Sequence, residues 1–221
     1  MNNKKIAVLP KKFSNDLAEL YGILLGDGTL TKYYIQVYLN ITSDKMYIPY
    51  VLQLARKLFP ESPVTTFPVP HNSVNIVQIS STDVCNFFKK IGFDRKIRSI
   101  PKWIINNKEF TKATLRGIFD TEGSVGIKYF KGKNGNYFYK QVTFTNKNEN
   151  ILNFIEKSLE LLDYKPTKNS TKNIYISNRL QIEKFAIEIG SSNPNKANKI
   201  MIQEIDGFVY GGLRRMVRHQ S

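Results

Sequence analysis

The chain has 221 residues, 41% hydrophobic and 23% charged, which is too apolar for a disordered basic tail and long enough for one large domain or two fused halves. Its 33 Lys and Arg against 18 Asp and Glu leave a net charge of +15, which favours acidic partners. A single cysteine, Cys85, excludes an intrachain disulfide, and with only His71 and His219 beside it no Cys/His zinc site can be assembled, which fits a reducing compartment.

Residues 1–13 are basic and contain only Ile6 to Leu9 as an apolar run, too short for a signal-peptide core, and no apolar stretch reaches membrane-spanning length. A soluble, intracellular protein with no membrane partner is expected. The spacing of Leu20, Ile23 and Leu24 predicts a helix running back to Ser14, whose hydroxyl suits an N-cap. Thr29 to Lys32 then leads into a strictly alternating stretch, Tyr34 to Thr42. Ile35, Val37, Leu39 and Ile41 take one face; Tyr34, Gln36, Tyr38, Asn40 and Thr42 take the other, as in a half-buried strand. Tyr47, Tyr50, Val51, Leu54 and Leu58 return to helical spacing before Pro60. Strands follow at Val64 to Phe67 and Val74 to Ser80, then a third helix at Asp83 to Ile91, ending near Gly92.

After a connector broken by Pro101 the order begins again. Ser124 to Tyr129 precedes the turn signal Lys133-Asn134-Gly135-Asn136. Beyond it Phe138, Val142 and Phe144 share one phase, while Tyr137, Tyr139, Gln141, Thr143 and Thr145 take the other; Lys140 falls in the apolar phase and spoils it locally. Ile151, Phe154, Ile155, Leu159 and Leu162 are helically spaced before Pro166, a strand is predicted at Asn173 to Ser177, and a helix at Leu180 to Ile189 ends near Gly190. The tail from Asn195 to Phe208 reads as one more helix. The fold class is therefore α+β with an αββαββα order occurring twice: a first half at 1–92, a connector at 93–111 and a second half at 112–221.

The repetition extends to letters. Leu20-Tyr21-Gly22-Ile23-Leu24-Leu25-Gly26-Asp27-Gly28 recurs as Leu115-Arg116-Gly117-Ile118-Phe119-Asp120-Thr121-Glu122-Gly123, 95 residues on. Gly22 and Gly26 lie one turn apart, as do Gly117 and Thr121, and small residues at that spacing let two helix backbones approach, so the two copies are expected to pack together. Gly28 and Gly123 are expected as left-handed caps. Asp27 and Glu122 then stand at the C-terminal ends of adjacent helices, where carbonyls already carry partial negative charge. Two acids brought together there repel, and the natural relief is a divalent cation such as Mg²⁺, bound through carboxylates, water and phosphate oxygens. The positive excess is shared between the halves: residues 1–110 carry 15 Lys and Arg against 8 Asp and Glu, and residues 111–221 carry 18 against 10. That distribution suits a long anionic ligand crossing both halves.

With these residues the chain resembles the LAGLIDADG homing endonucleases in the single-chain form with two motif copies. It departs from the eponymous letters at Tyr21, Leu25 and Gly26 and at Arg116, Phe119 and Thr121. The resemblance implies two pseudo-symmetric halves, each an antiparallel sheet saddle covered by helices, joined at a central two-helix interface formed around Gly22, Gly26, Gly117 and Thr121. It implies that Asp27 and Glu122 are catalytic metal ligands for Mg²⁺ or Mn²⁺, with the carbonyls of Gly26 and Thr121 joining them. Ser43 and Asn146, at matched ends of the second strands, would order water near the scissile phosphate, with Lys147 or Lys45 assisting. Arg179, before the third helix, is a further candidate; its first-half counterpart is Thr82, so one half lacks that group.

The outward strand faces would meet double-stranded DNA. Gln36, Asn40, Gln141 and Thr143 suit base edges. Tyr34, Tyr38, Tyr137 and Tyr139 add contact area, Thr42 and Thr145 extend the same rows, and Lys128, Lys131, Lys133, Lys168 and Lys172 suit phosphates. The expected activity is metal-dependent cleavage of both strands of a long, nearly palindromic site, leaving short 3′ overhangs, by a monomer. Two alternatives stay open on the same fold: a maturase acting on its host intron RNA, and a noncatalytic nucleic-acid-binding protein, for which loss of the acids would be expected. A two-carboxylate glycosidase would have the acids but no reason for +15, and no phosphate-loop or His-Glu-x-x-His motif occurs.

Overall fold

A computed structural model describes residues 7–132, 135–170, 172–201, 204–205 and 208–209, with side chains described except at 130–132, 135–137, 170 and beyond 201. Helix α1 (Asn15–Asp27) starts where Ser14 accepts a hydrogen bond from the Leu17 amide at 3.2 Å. It runs directly into β1 (Gly28–Leu30), which pairs antiparallel with β2 (Ile35–Asn40). Helix α2 (Ile48–Leu58), strands β3 (Val64–Pro68) and β4 (Val74–Ile79) and helix α3 (Thr82–Lys90) complete the first half. The second half repeats this order as α5 (Lys108–Glu122), β5 (Gly123–Gly132), β6 (Gly135–Thr145), α6 (Glu149–Leu161), β7 (Thr167–Ser170), β8 (Asn173–Ile176) and α7 (Arg179–Glu188). The two antiparallel sheets have corresponding orders, β1-β2-β4-β3 and β5-β6-β8-β7.

Between the halves, α4 (Lys102–Ile105) follows Pro101. Helix α5 begins inside the stretch expected to be connector, because the Asn107 side chain caps it by accepting from the amides of Glu109 and Phe110 at 3.0 and 3.1 Å. The tail differs from the single helix expected at 195–208. Helix α8 (Pro194–Met201) is followed by a short antiparallel pair, β9 (Glu204–Ile205) and β10 (Phe208–Val209). The buried Lys140 ammonium donates to the carbonyl of Ile200 at 2.9 Å, occupying an acceptor at the end of α8. The cation that breaks the apolar phase of β6 is thus enlisted to hold α8.

Each sheet buries one face. Ile35, Val37 and Leu39 on β2 and Val142 and Phe144 on β6 point into cores filled by Leu24, Phe59 and Phe88 in the first half and Phe119, Phe185 and Tyr164 in the second. Phe138 keeps the apolar phase of β6 in sequence but is exposed, pairing its ring with Tyr129 at 5.3 Å on the outer part of the hairpin. Lys133 and Asn134 of the expected turn lie outside the described residues; the pairing Gly132↔Gly135 flanks them.

Helices α1 and α5 form the centre of the molecule. A Cβ on Gly22 would fall on the carbonyl of Thr114, and one on Gly117 would fall on the carbonyl of Glu19 and lie 2.8 Å from the amide nitrogen of Ile23. Backbone therefore meets backbone, and the Thr114 hydroxyl donates across the seam to the Ala18 carbonyl at 3.1 Å. Gly28 and Gly123 are not left-handed caps, contrary to expectation. Their φ/ψ values of −98/153° and −88/160° are extended, since each helix passes straight into a strand. Glycine is required there by space: a Cβ on Gly28 would strike Leu24 and one on Gly123 would strike the Phe119 ring. Among the described residues the left-handed glycines are instead Gly92 and Gly190, at the ends of α3 and α7.

The seam yields a paired prediction. Gly117→Ala should lower unfolding free energy by about 2–3 kcal/mol, toward the upper end for overpacking because the added carbon meets backbone that cannot rotate away. Gly126→Ala, where an added Cβ meets nothing within 4 Å, should change it by less than about 0.5 kcal/mol. Urea denaturation of the two variants checks the difference.

Candidate active site at the paired helix ends

Close packing along α1 and α5 brings their C-terminal tips together. A Cβ on Gly26 would overlap the Thr121 hydroxyl and lie 3.1 Å from Cγ of Glu122, so the absence of a side chain at Gly26 sets how near the tips can come. Asp27 and Glu122 are the last residues of their helices, and both are half-buried. Burial pushes the Asp27 carboxyl above its ordinary range; Lys196 and Arg98 pull it down, and Asp44 pushes it up. Glu122 is likewise raised by burial, then by the charge of Asp27, against the same two cations. Glu122 thus senses the charge of Asp27.

Sequence reasoning overlooked both cations. The Arg98 guanidinium donates to the carbonyl of Leu25 at 2.8 Å, on the last turn of α1. The Lys196 ammonium donates to the carbonyls of Phe119, Asp120 and Thr121 at 3.0, 2.8 and 3.2 Å, on the last turn of α5. The available signal was positional: each cation lies six residues after the left-handed glycine that ends its half's third helix, Gly92 or Gly190.

Another repeated contact anchors the helix pair. The second letter of each motif copy reaches the end of the third helix of its own half. The Tyr21 hydroxyl donates to the carbonyl of Gly92 at 2.9 Å, and the Arg116 guanidinium to that of Ile189 at 3.2 Å. Arg116 also pairs across the seam with Glu19, 2% exposed, at 2.8–2.9 Å, and this carboxylate accepts from the hydroxyls of Tyr50 and Ser192, each at 2.6 Å. The segment that carries Ser192 continues across the molecule. Ser191 and the Ser192 amide bond Asp120, whose buried carboxyl is pushed up to about 6; Asn193 donates to Asp44 at 2.9 Å and Asn195 to the Ser43 carbonyl.

The other expected site residues divide. Asn146 is 5% exposed, and its amide donates to Oε1 of Glu122 at 3.1 Å, so it belongs to the centre. Its pairing with Ser43 does not hold. The registers Gly28↔Val37 and Gly123↔Phe144 make Val37 the counterpart of Phe144, and hence Leu39 the counterpart of Asn146. Ser43 lies in the exposed turn beyond β2, where its amide donates to the Asn40 side chain at 3.0 Å. Lys45 and Lys147 are exposed beside the strand ends. Arg179 and Thr82 do correspond, as first residues of α7 and α3, and Arg179 pairs with Glu183 at 2.8 Å on an exposed face.

Along the sheets, Tyr38, Asn40, Thr42, Lys128, Tyr139, Thr145, Lys168 and Lys172 are exposed, and Tyr34, Gln36 and Thr143 partly so. Gln141 takes the outward phase but is only 7% exposed, which removes it from the accessible row. Gln36 is held in a chain that runs from the Tyr38 hydroxyl through Gln36 and Gln78 to Ser80, with links of 2.8, 2.6 and 2.8 Å. Thr145 donates to Asn173 at 2.8 Å. Lys133 and the side chains of Lys131 and Tyr137 lie outside the described residues.

Among the described residues, no group of three or more Asp, Glu, His or Cys is placed to hold a metal ion. The donors that fit a hard divalent cation are the two raised carboxylates and the Gly26 carbonyl, a sparse protein set of the kind that leaves room for water and phosphate oxygens. The Thr121 carbonyl, also expected as a ligand, already accepts from Lys196.

Residues 109–190 match a family model described as a LAGLIDADG-like domain. An uncharacterized protein of Methanocaldococcus jannaschii is 28% identical over 193 residues, 79% of this chain and 65% of that protein. The DNA-directed RNA polymerase subunit Rpo1C of the same organism is 24% identical over 196 residues, 86% of this chain and 21% of the subunit. The chain therefore spans less than two thirds of either relative. In structure, the chain is similar to I-DmoI in complex with DNA and Mn, with a TM-score of 0.58 at 16% identity over 80% of this chain and 96% of that one. It is similar to I-WcaI bound to its DNA recognition sequence, with a TM-score of 0.59 at 16% identity over 87% and 88%. At such identities the likeness establishes the shared two-half fold.

The network beneath the acids makes a prediction. Arg116→Met strands the Glu19 charge and should cost about 2–3 kcal/mol, less than for a fully buried pair because the guanidinium is partly solvated. Adding Glu19→Gln should recover about half of the loss. Chemical denaturation of the single and double variants measures both.

Proposed function

We propose, for a chain that carries a LAGLIDADG-like domain on the two-half fold of the single-chain LAGLIDADG homing endonucleases, that it is a site-specific DNA endonuclease. It cleaves both strands of a long, nearly palindromic duplex site and leaves short 3′ overhangs. The convergence of Asp27 and Glu122 at the tips of α1 and α5, in a chain of net charge +15, is the observation that carries this reading. The relative that bears the name of an RNA polymerase subunit matches over only 21% of its length. The matching unit is there part of a larger chain, as suits a portable element.

The duplex would lie along the two outward sheet faces. Tyr38, Asn40, Thr143 and Thr145 offer donors and acceptors to base edges, while Lys128, Lys168 and Lys172 neutralise phosphates and set register. Gln36 and Gln78, tied to each other, present a preorganised amide pair, so less side-chain entropy is lost on contact.

Asp27 with the Gly26 carbonyl, and Glu122 at the facing tip, would hold divalent metal, Mg²⁺ or Mn²⁺. When bound, such an ion would supply charge to offset the scissile phosphate and its leaving oxygen, and would acidify an attacking water. The chain's own contribution is placement. The glycine seam fixes the tip separation, Asn146 orients the Glu122 carboxylate through its amide, and partial burial keeps bulk water from screening the acids. Each tip addresses one strand. Because Asp27 and Glu122 differ by a methylene and Asn146 faces only Leu39 as counterpart, the two strands are expected to be cut at unequal rates.

Selection of cleaved sites from a random DNA pool with Mg²⁺ tests this. Asp27→Asn and Glu122→Gln should each retain DNA binding and lower cleavage at least about 100-fold. Equal cutting by wild type and variants would remove the assignment, and binding with no cutting by the wild type would favour the noncatalytic alternative. Strand-specific labels on the selected site should show one nick preceding the other.

A further inference from the structure

The tips of α1 and α5 concentrate negative potential: two carboxylates, the last-turn carbonyls of two helices, and the nearby Asp44 and Asp120. Against this stand Arg98 and Lys196, brought in from outside the motif at matching points of the two halves. The two are not alike. Arg98 donates to the Leu25 carbonyl of α1, and its own backbone is left-handed with φ 52°, an uncommon conformation for a residue with a side chain. Lys196 enters from the first turns of α8, rests its ammonium 5.7 Å from the centre of the Phe119 ring and takes the Phe119, Asp120 and Thr121 carbonyls. One of these, Thr121, is the second-half counterpart of the Gly26 carbonyl.

We propose that Arg98 and Lys196 are positioning residues that serve as resident counter-ions of the acid pair, and that Lys196, by occupying the Thr121 carbonyl, makes the α5 tip the weaker of the two divalent-ion subsites. The metal part rests on the endonuclease reading; the pinning of the helix ends does not. A compact ammonium fits the fork of three converging carbonyls, as a fixed donor to the end of a helix does generally. A guanidinium reaching a single carbonyl leaves the Gly26 oxygen of α1 to an incoming ion. Before metal or DNA arrives, the tips are thus held together by charges the chain itself provides. When a divalent ion comes, it meets competition chiefly on the α5 side.

The experiment uses the full chain without DNA, as wild type, Lys196→Met, Lys196→Arg and Arg98→Met. Amide hydrogen exchange is read over residues 119–123 and 24–28, and Mn²⁺ binding by titration followed by electron paramagnetic resonance. Lys196→Met should speed exchange at 119–123 and leave 24–28 unchanged, with Lys196→Arg restoring most of the protection; Arg98→Met should do the reverse. Lys196→Met should also tighten Mn²⁺ binding about tenfold, by removing one nearby positive charge and freeing a carbonyl, and Arg98→Met should do so less. A merely structural lysine would leave Mn²⁺ affinity unchanged or weaken it, and that result overturns the competition. Unchanged exchange in Lys196→Met overturns the pinning. If no variant binds Mn²⁺ while exchange changes as described, the subsite ranking and the endonuclease reading fall and the pinning stands.

Discussion

Everything at the centre of this molecule depends on two helices touching backbone to backbone. The contact requires glycine at 22 and 117, where a single added carbon would lie inside a neighbouring carbonyl. The reward is positional. A rigid seam with almost no side chain in it has little freedom to slide, so residues at its end are placed by backbone geometry rather than by rotamer choice. The acids at the tips inherit that rigidity, and the two sheets that begin immediately after them, β1 and β5, are aimed by the same pair of helices.

Such a seam carries an electrostatic cost at the end where it is most useful. Helix C-termini are negative, and acids placed on them repel; burial raises both Asp27 and Glu122, and the charge of Asp44 on the first and of Asp27 on the second raises them further. The protein offsets this with groups from beyond the motif: Arg98 after the third helix of the first half, Lys196 after that of the second, and the Asn146 amide from the end of β6. Lower on the helices the same logic recurs with Glu19 and Arg116, where the opposite charge sits within the motif itself.

Much of this was legible in the residues. The alternation from Tyr34 to Thr42, the helical spacing after Ser14 and the recurrence of the nonapeptide each reflect a local constraint: a half-buried strand, a capped helix buried from Leu17 to Gly26, a seam that admits only small groups. What escaped was set by packing between distant segments. Asn146 is expected at the centre only from the family resemblance; it continues the apolar phase of β6 one residue beyond the strand, and nothing in its neighbourhood in sequence says that a carboxylate lies over it. Matching strand ends by letters gave Ser43 as its partner, whereas the hairpin of the second half is longer and sheet register gives Leu39. Gly28 and Gly123 are glycines for want of space and not for handedness. Gln141 has the right phase and the wrong burial. Lys196 lies in a polar stretch whose tertiary contact no periodicity reports.

The route taken by residues 191–196 has a bearing on how the molecule comes into being. These six residues touch Asp120 and the carbonyl end of α5 in their own half, and Glu19, Asp44 and the Ser43 carbonyl in the other. Translation proceeds from the N-terminus, so the first half can collapse around its aromatic core long before its loop after β2 finds the asparagines that brace it. The nascent chain therefore carries an incompletely neutralised centre until residues 191–196 have been made and have docked across both halves.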